Sequence, residues 1–155
     1  MSIVNSLLKV FLGDKSGKDL KKLTPLVDEI NKHFIGMSSL SNDELRDKTH
    51  NLKKIISDKT SELVSSLKKL NESITNESSN IEKEKLFSEV EIVEKDLSET
   101  KSQILDEILP EAFAVVKETA RRFYENESVK VSASEFDKEI GSKKSYVTID
   151  GESAI

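Results

Sequence analysis

The first stretch of the sequence that could do chemistry is a glycine- and lysine-bearing run near the N-terminus. It reads Gly-Asp-Lys-Ser-Gly-Lys over residues 13–18 and superficially resembles a phosphate-binding loop. Such a loop needs the GxxxxGK[ST] spacing and a preceding strand, so that its backbone amides can cradle phosphate groups. Neither condition is met, because Gly13 and Gly17 are too close together and no strand is predicted before them. We therefore expect no nucleotide site in this run.

The remaining reactive side chains do not form a catalytic or metal-binding pattern. The chain has no Cys, and His33 and His50 are not spaced to share a metal ion. We expect each to be a lone surface histidine. The many carboxylates lie among lysines on predicted helices, where ion pairs four residues apart explain them. No Ser-His-acid arrangement can be assembled. The residues thus predict no catalytic group, no metal ligand and no cofactor in this chain.

The composition argues against several further classes of function. Of 155 residues, 35% are hydrophobic, 34% are charged and only 5% are aromatic, which favours long exposed helices over a compact globule. The formal net charge of −5 argues against general nucleic-acid binding, which needs a basic surface. No apolar run reaches the roughly 20 residues that span a bilayer. No signal peptide is recognisable, and the lack of Cys is compatible with a reducing compartment.

The N-terminal residues predict a short amphipathic helix that ends near Gly13. Its apolar face comprises Ile3, Leu7, Val10 and Phe11, with Val4 and Leu8 beside it. Basic residues lie on or just after it, at Lys9, Lys15, Lys18, Lys21 and Lys22. Such a helix can bind an anionic membrane surface, which needs both apolar insertion and cationic attraction. The alternative is that the helix packs on the rest of the protein.

A second helix is predicted from about Lys18 to Phe34. Its apolar positions recur at spacings of three and four, at Leu20, Leu23, Val27, Ile30 and Phe34. Pro25 lies inside this pattern and should either kink the helix or mark its first turn. Gly36 ends the segment. We therefore assign residues 1–40 to an N-terminal amphipathic helix and a linker helix.

Residues 41–109 predict a long antiparallel helical hairpin. A capping box begins it at Ser41 and Glu44, and Ser79 to Glu82 offers a second one after a polar break at Thr75–Asn80. Narrow apolar seams run along both arms, at Leu45, Leu52, Ile56, Leu63, Leu67, Leu70 and Ile74 and at Leu86, Val90, Val93, Leu97, Ile104 and Ile108. Seams of this kind are typical of paired helices in coiled coils.

Residues 110–155 differ in character from the hairpin. Pro110 predicts an interruption, followed by a separate helix over residues 111–124 that is apolar on more than one side and should be buried. Beyond Glu125, alternating residues predict two short strands within 128–150, separated by a polar excursion, and Asp150-Gly151 predicts a turn. We expect a short β-hairpin there, and the abrupt end at Ile155 suggests a fragment of something larger.

Three stretches resemble SecA, the bacterial preprotein translocase ATPase family. The most specific is Leu-Pro-Glu-Ala-Phe-Ala-Val-Val-Lys-Glu over residues 109–118, followed by Arg121-Arg122, which looks like the start of the first motor domain. Phe-Leu-Gly-Asp-Lys over 11–15, continuing through Leu20-Lys21 to 27–31, is similar to the N-terminal segment of the family. Leu-Ser-Asn-Asp-Glu-Leu-Arg-Asp-Lys-Thr over 40–49 resembles its next helix. The resemblance covers about 1–58 and 102–124.

Two regions depart from the common family pattern. Residues 59–101 look like an insertion that forms most of the hairpin, and the longer forms belong to a Bacteroidetes-like branch. Residues 125–155 are also unlike the pattern, which soon reaches an adenine motif and a phosphate loop. Neither nucleotide motif is present. The resemblance therefore implies ATP and Mg²⁺ in the parent protein, while this chain alone should bind no ATP, and residues 110–155 would be the truncated start of the motor domain.

The resemblance implies a role in protein export. The family couples ATP hydrolysis to the movement of preproteins through the SecYEG channel, from the cytoplasm and peripherally on the inner face of the membrane. Contact with channel and anionic lipid would fall on Ile3, Val4, Leu7, Leu8, Lys9 and Phe11. The helix at 109–123 would pack against the motor sheet, and homodimer contacts are also implied. Two alternatives remain: a structural coiled-coil adaptor without a motor, and a free-standing regulatory module that binds a full-length motor.

Overall fold

The structure is a computed structural model that describes residues 15–155, with side chains from Leu20 onward. Four helices are present in this part of the chain: α1 over Lys15–Ile35, α2 over Asn42–Asn76, α3 over Asn80–Glu125 and α4 over Glu135–Lys143. A 3₁₀ turn, Met37–Ser39, joins α1 to α2. Three short strands follow, β1 at Val131–Ser132, β2 at Ile149–Asp150 and β3 at Ser153–Ala154. The predicted mainly α fold is confirmed, and the predicted N-terminal helix lies outside the described residues.

The linker helix agrees with its prediction in extent. α1 contains Pro25 and begins ten residues before it, so Pro25 does not mark the first turn. The apolar side chains of α1 differ in exposure along the helix. Leu20, Leu23 and Val27 are exposed, whereas Ile30 and Phe34 pack against the core. The C-terminal half of α1 is therefore the half that joins the rest of the protein.

The helical hairpin is confirmed, with its break at residues 77–79. The Ser41 hydroxyl accepts from the Glu44 amide at 3.2 Å, and the Glu44 carboxylate accepts from the Ser41 amide at 2.7 Å, which completes the predicted capping box. The second predicted capping box is wrong. Ser79 makes no side-chain cap, and the Glu77 carboxylate instead accepts from the amides of Ser78 and Ser79, both at 2.8 Å.

The two arms of the hairpin meet along the predicted seam. Leu45, Leu52 and Ile104 are buried, and the other seam positions are half-buried. Two ion pairs bridge the arms, Lys48 with Glu111 at 3.0 Å and Lys59 with Glu107 at 2.6 Å. From the first pair to the second, the residue number rises on α2 and falls on α3, so the two arms are antiparallel. Most neighbouring positions are exposed, so the contact between the arms is narrow.

The predicted interruption at Pro110 is wrong, because α3 passes through it as one helix of 46 residues. Proline lacks the N–H that would bond to the carbonyl four residues back, and an interior proline costs about 3 kcal/mol. Packing on both sides of Pro110 offsets this cost. Ile104 is buried before it, Ala114 and Val115 are buried after it, and Glu111 holds Lys48 on α2.

The C-terminal residues form a small module of three strands and one helix. The strands are antiparallel in the order β1-β3-β2, with Ala154 opposite both Val131 and Ile149. The predicted Asp150-Gly151 turn is confirmed, and Gly151 has the positive φ of 57° that this turn requires. The predicted polar excursion is instead helix α4. Gly141 of α4 packs against β2, since an added Cβ would lie 3.0 Å from Ile149 Cγ1.

The main core lies where α1, the 3₁₀ turn, α2 and α3 converge. Met37, Leu45, Ala114 and Val115 are buried in it, and three half-buried residues, Ile30, Phe34 and Leu40, pack around them. Above Phe34, the Lys117 ammonium lies 4.2 Å from the ring centroid. This core fixes the orientation of the second half of α3, which carries the candidate site.

Candidate functional site

A buried carboxylate lies at the centre of this junction. The side chain of Glu118 is fully buried in α3, one turn after Ala114 and Val115. It accepts from Arg121 at 2.9 and 2.7 Å and from Arg122 at 2.8 Å. Residues three and four positions later on a helix lie on the same side, so all three groups meet. We call Glu118, Arg121 and Arg122 the arginine clamp.

Arg122 also links α3 to the residues at and just before the start of α2. Its guanidinium donates to the Asn42 side chain at 2.7 Å and to the carbonyls of Met37 and Leu40 at 3.0 and 2.7 Å. These carbonyls belong to the 3₁₀ turn and its end, and that of Met37 also accepts from the Leu40 amide at 3.2 Å. The planar fork of arginine can serve several such acceptors at once. Arg122 therefore fixes the chain between α1 and α2 onto α3.

The clamp keeps Glu118 ionised. Hydrogen bonding from Arg121 lowers the pKa of Glu118 most strongly, burial opposes this, and the hydrogen bond from Arg122 adds to the lowering. The net result is a pKa below the ordinary value of 4.5. Among the described residues, every buried side-chain nitrogen and oxygen has a hydrogen-bond partner. The buried charge is thus compensated as buried ion pairs require.

The first turn of α2 also holds the C-terminal module. Arg46 donates to the Asp137 carboxylate at 2.9 Å and to the Ser132 carbonyl at 3.0 Å. Asp43 accepts from the Ser132 amide and hydroxyl, both at 2.8 Å. Burial alone would raise the pKa of Asp137, but hydrogen bonds from Ser134 and Arg46 lower it overall. The first five residues of α2 therefore contact both α3 and the module.

The opposite side of α3 bears an apolar face that is largely exposed in the described part of the chain. Its members recur at spacings of three, four and one, namely Phe113, Val116, Ala120, Phe123 and Tyr124. All five are exposed, and Val116, Phe123 and Tyr124 are 64%, 66% and 92% exposed. We call this set the apolar face. The predicted burial of this helix is met on the clamp side, where Ala114, Val115 and Glu118 are buried, while the opposite side is exposed in the described chain.

A contiguous exposed apolar surface on a protein marks a site of interaction more often than a scattered exposed residue does. Here it occupies the segment of α3 that the core and the clamp hold most firmly. The position of the apolar face is therefore defined relative to α1, α2 and the C-terminal module. Its chemistry suits apolar packing and not catalysis.

The residues expected to touch a membrane or channel, Ile3, Val4, Leu7, Leu8, Lys9 and Phe11, lie outside the described residues. Lys21 and Lys22, which follow them, are exposed on α1, and His33 and His50 are exposed on different helices. Within the described part of the chain, no group of three or more His, Asp or Glu side chains is placed to hold a metal ion. No described helix is both long and apolar enough to cross a membrane.

Sequence reasoning missed the clamp and the module contacts. An acidic residue on the apolar side of a helix, with arginines three and four positions later, is a signal for a buried ion pair. Ser134 and Asp137 form a capping box that begins α4, with the same spacing as Ser41 and Glu44. Both signals were visible in the sequence. Their partners across 80 or more residues, such as Asn42 for Arg122, were not.

A helical hairpin, a clamped junction and one open apolar face define a helical scaffold protein with an interaction surface. Comparison with known proteins names the family. The SecA DEAD-like domain matches residues 8–134. The chain belongs to the SecA family.

Its relatives align over nearly all of the chain. Protein translocase subunit SecA of Christiangramia forsetii is 42% identical over 155 residues, which is 100% of this chain and 14% of the relative. The subunit of Flavobacterium psychrophilum is 40% identical with the same coverage. That of Parabacteroides distasonis is 37% identical over 97% of this chain and 13% of the relative. No solved structure matches the chain with significance.

These alignments have two consequences. The relatives come mostly from Bacteroidetes, as the resemblance implied, and the two first named align over all 155 residues, including 59–101 and 125–155. The hairpin and the C-terminal module therefore belong to the form of the family that this chain shares with them. The chain spans about one seventh of the length of these relatives.

Proposed function

We propose that this chain is the N-terminal part of a protein translocase motor that couples ATP hydrolysis to export of preproteins through the SecYEG channel. Family membership and the curated relatives, each a protein translocase subunit SecA, support the translocase role. The motor would act from the cytoplasm, peripherally on the inner face of the membrane. In this proposal the 155 residues contribute docking and packing, while ATP and Mg²⁺ are bound by parts of the motor that lie outside them.

The single observation that carries the packing role is the apolar face on α3. Five apolar residues on one exposed helical face need a partner, and the relatives are about seven times longer than this chain. The occupant in this proposal is the rest of the motor polypeptide. The arginine clamp holds the opposite side of the same helix, so packing on the apolar face would transmit orientation directly to α1 and α2.

The membrane and channel role rests on the sequence of residues 1–12. Their apolar face and the lysines at Lys9, Lys15, Lys18, Lys21 and Lys22 combine the two contributions that peripheral binding needs. α1 is consistent with this placement, since its first half projects exposed Leu20 and Leu23 beyond the core. Homodimer contacts and preprotein binding would be functions of the whole motor.

A pair of matched substitutions tests the packing role. Val116 and Ile92 lie on the same helix, are both β-branched, and are 64% and 61% exposed. In the 155-residue chain, Val116→Asp and Ile92→Asp should both leave the melting temperature nearly unchanged. In the full-length motor, Val116→Asp should lower the melting temperature and increase protease cleavage, because a charge would enter an apolar contact. Ile92→Asp should do neither. Equal behaviour of the two full-length variants would refute the packing role.

A further inference from the structure

A cavity of about 270 Å³ opens beside the arginine clamp. It lies between the first two turns of α2, the last turns of α3 and the linker that leads into β1. Its apolar wall is formed by Leu45, Val115, Phe123, Val129 and Val131. A dry apolar cavity of roughly 150 Å³ already accepts benzene. This space is therefore large enough for an aromatic ring.

Four of the five polar side chains in the cavity wall, Asn42, Arg46, Thr119 and Arg122, are engaged within the protein, and the fifth, Thr49, is exposed. The N–H groups of Arg122 bond to Glu118, Asn42 and two carbonyls, and those of Arg46 bond to Asp137 and the Ser132 carbonyl. The Thr119 hydroxyl donates to the Val115 carbonyl at 2.8 Å. A charged or strongly polar ligand would find few free partners here. Arg46 and Arg122 both line the cavity, and arginine planes stack favourably on aromatic rings.

The cavity is continuous with the apolar face, because Phe123 belongs to both. A partner that covers the apolar face would therefore pass directly over the mouth of the cavity. We propose that the cavity receives one aromatic side chain from the part of the motor polypeptide outside residues 1–155, as the anchor of that packing. This inference rests on the proposed function, and the length of the relatives supplies the occupant.

The first test asks whether the cavity takes an aromatic ring, with indole as the probe. Methyl NMR spectra of the 155-residue chain should show saturable shifts at Val115, Val129 and Val131. Thr49 lies at the rim, so Thr49→Trp should fill the cavity and abolish these shifts. Lys53→Trp, one turn further along α2 and outside the wall, should preserve them. Absence of saturable shifts, or shifts that persist in Thr49→Trp, would overturn the proposal.

The second test identifies the source of the ring in the full-length motor. A benzoylphenylalanine photo-crosslinker is placed at position 49 and crosslinked peptides are mapped by mass spectrometry. The expected product joins position 49 to a peptide from outside residues 1–155, at or next to an aromatic residue. If crosslinks form only within residues 1–155, or if none form, the proposal that an outside aromatic side chain enters the cavity is refuted. If Val116→Asp still destabilises the motor in that case, the packing role stands without the anchor. If Val116→Asp is also neutral in the full-length motor, the aromatic anchor and the packing role are both refuted.

Discussion

Arg122 donates to the carbonyl of Leu40 at 2.7 Å, which joins two positions separated by 82 residues. Leu40 is the end of the 3₁₀ turn that leads into α2, and Arg122 is in the last turn of α3. The same guanidinium also donates to the Glu118 carboxylate at 2.8 Å. The path from the buried carboxylate to the linker backbone therefore runs through a single arginine side chain.

The first prediction concerns that arginine. Arg122→Ala should lower the free energy of unfolding by about 3–5 kcal/mol, since it removes a partner of the buried Glu118 charge and the side-chain donor to the Leu40 carbonyl. Arg122→Lys should recover only part of this, because an ammonium cannot form the planar fork. Arg121→Ala provides the comparison. It also removes a partner of Glu118, but the carboxylates to which Arg121 donates, Glu118 and Glu125, are both on α3 and its side chain is 38% exposed, so it should cost less. Chemical denaturation of the three variants measures the order, and an equal cost for Arg121→Ala would contradict it.

The second prediction concerns acid stability. The folded pKa of Glu118 is lowered, so its ionised form stabilises the fold above the ordinary value of 4.5, and this contribution is lost as the pH falls through the lower folded value. Glu118→Gln should therefore be less stable than the wild type near neutral pH. The gap should close on acidification below about pH 4.5. Melting temperatures across this range measure it, and a gap that does not change with pH would exclude the ionised carboxylate as the cause.

The third prediction concerns the hairpin seam. Leu63 is half-buried between the arms, whereas its neighbour Val64 is 49% exposed. Leu63→Lys should destabilise the hairpin by about 1–2 kcal/mol, a fraction of the value for a fully buried leucine. Val64→Lys should have little effect, and Val90→Lys on the other arm should behave like Leu63→Lys. Circular dichroism melts compare the three. Unchanged helicity and stability in Leu63→Lys would show that the arms pair elsewhere.

The fourth prediction concerns the N-terminal residues. The chain should bind anionic vesicles and bind zwitterionic ones little, and binding should fall sharply at high salt, because each lysine near the surface contributes about 1 kcal/mol that salt screens. Leu7→Glu combined with Phe11→Glu should abolish binding, as should removal of residues 1–12. Vesicle co-sedimentation measures all of these.

A charge-matched control separates apolar insertion from charge in that experiment. Asn5→Glu combined with Ser6→Glu adds the same two negative charges but keeps every apolar residue of the predicted face. It should weaken binding only partly. Equal pelleting of the wild type, the Leu7/Phe11 double variant and the truncated chain would mean that the anchor lies elsewhere. A double variant that fails to fold would favour packing of this face on the protein itself.

The sequence predicted those features that depend on local periodicity. The seams of the hairpin, its first capping box and its break follow from spacings of three, four and seven and from a polar run, and each is confirmed. The prediction failed at Pro110, where local chemistry favours a helix end and tertiary packing on both sides overrides it. It also failed at Ser79, whose amide donates to Glu77 instead of to Glu82 as a capping box requires.

The candidate site was harder to predict because it depends on distant pairs. Glu118, Arg121 and Arg122 are close in sequence, but only the fold brings Asn42 and Leu40 to them. The same is true of Arg46 and Asp137, which are 91 residues apart. The apolar side chains of residues 113–124 were recognised, but which of them face the core and which face outward is decided by the position of α1 and α2. The spacing of apolar residues along one helix cannot show which side of that helix will face the core.

Because α3 continues through Pro110 without a break, its first half and its second half form one continuous helix. About 30 residues of continuous helix separate Pro110 from the start of α3 at Asn80, or roughly 45 Å at 1.5 Å per residue. A tilt of about 5° at Pro110 would move the start of α3 by about 4 Å on this geometry. Had the helix ended at Pro110, that displacement would have been absorbed in a loop. A small rotation of α3 at Pro110 would therefore produce a larger displacement at the loop that joins α2 to α3.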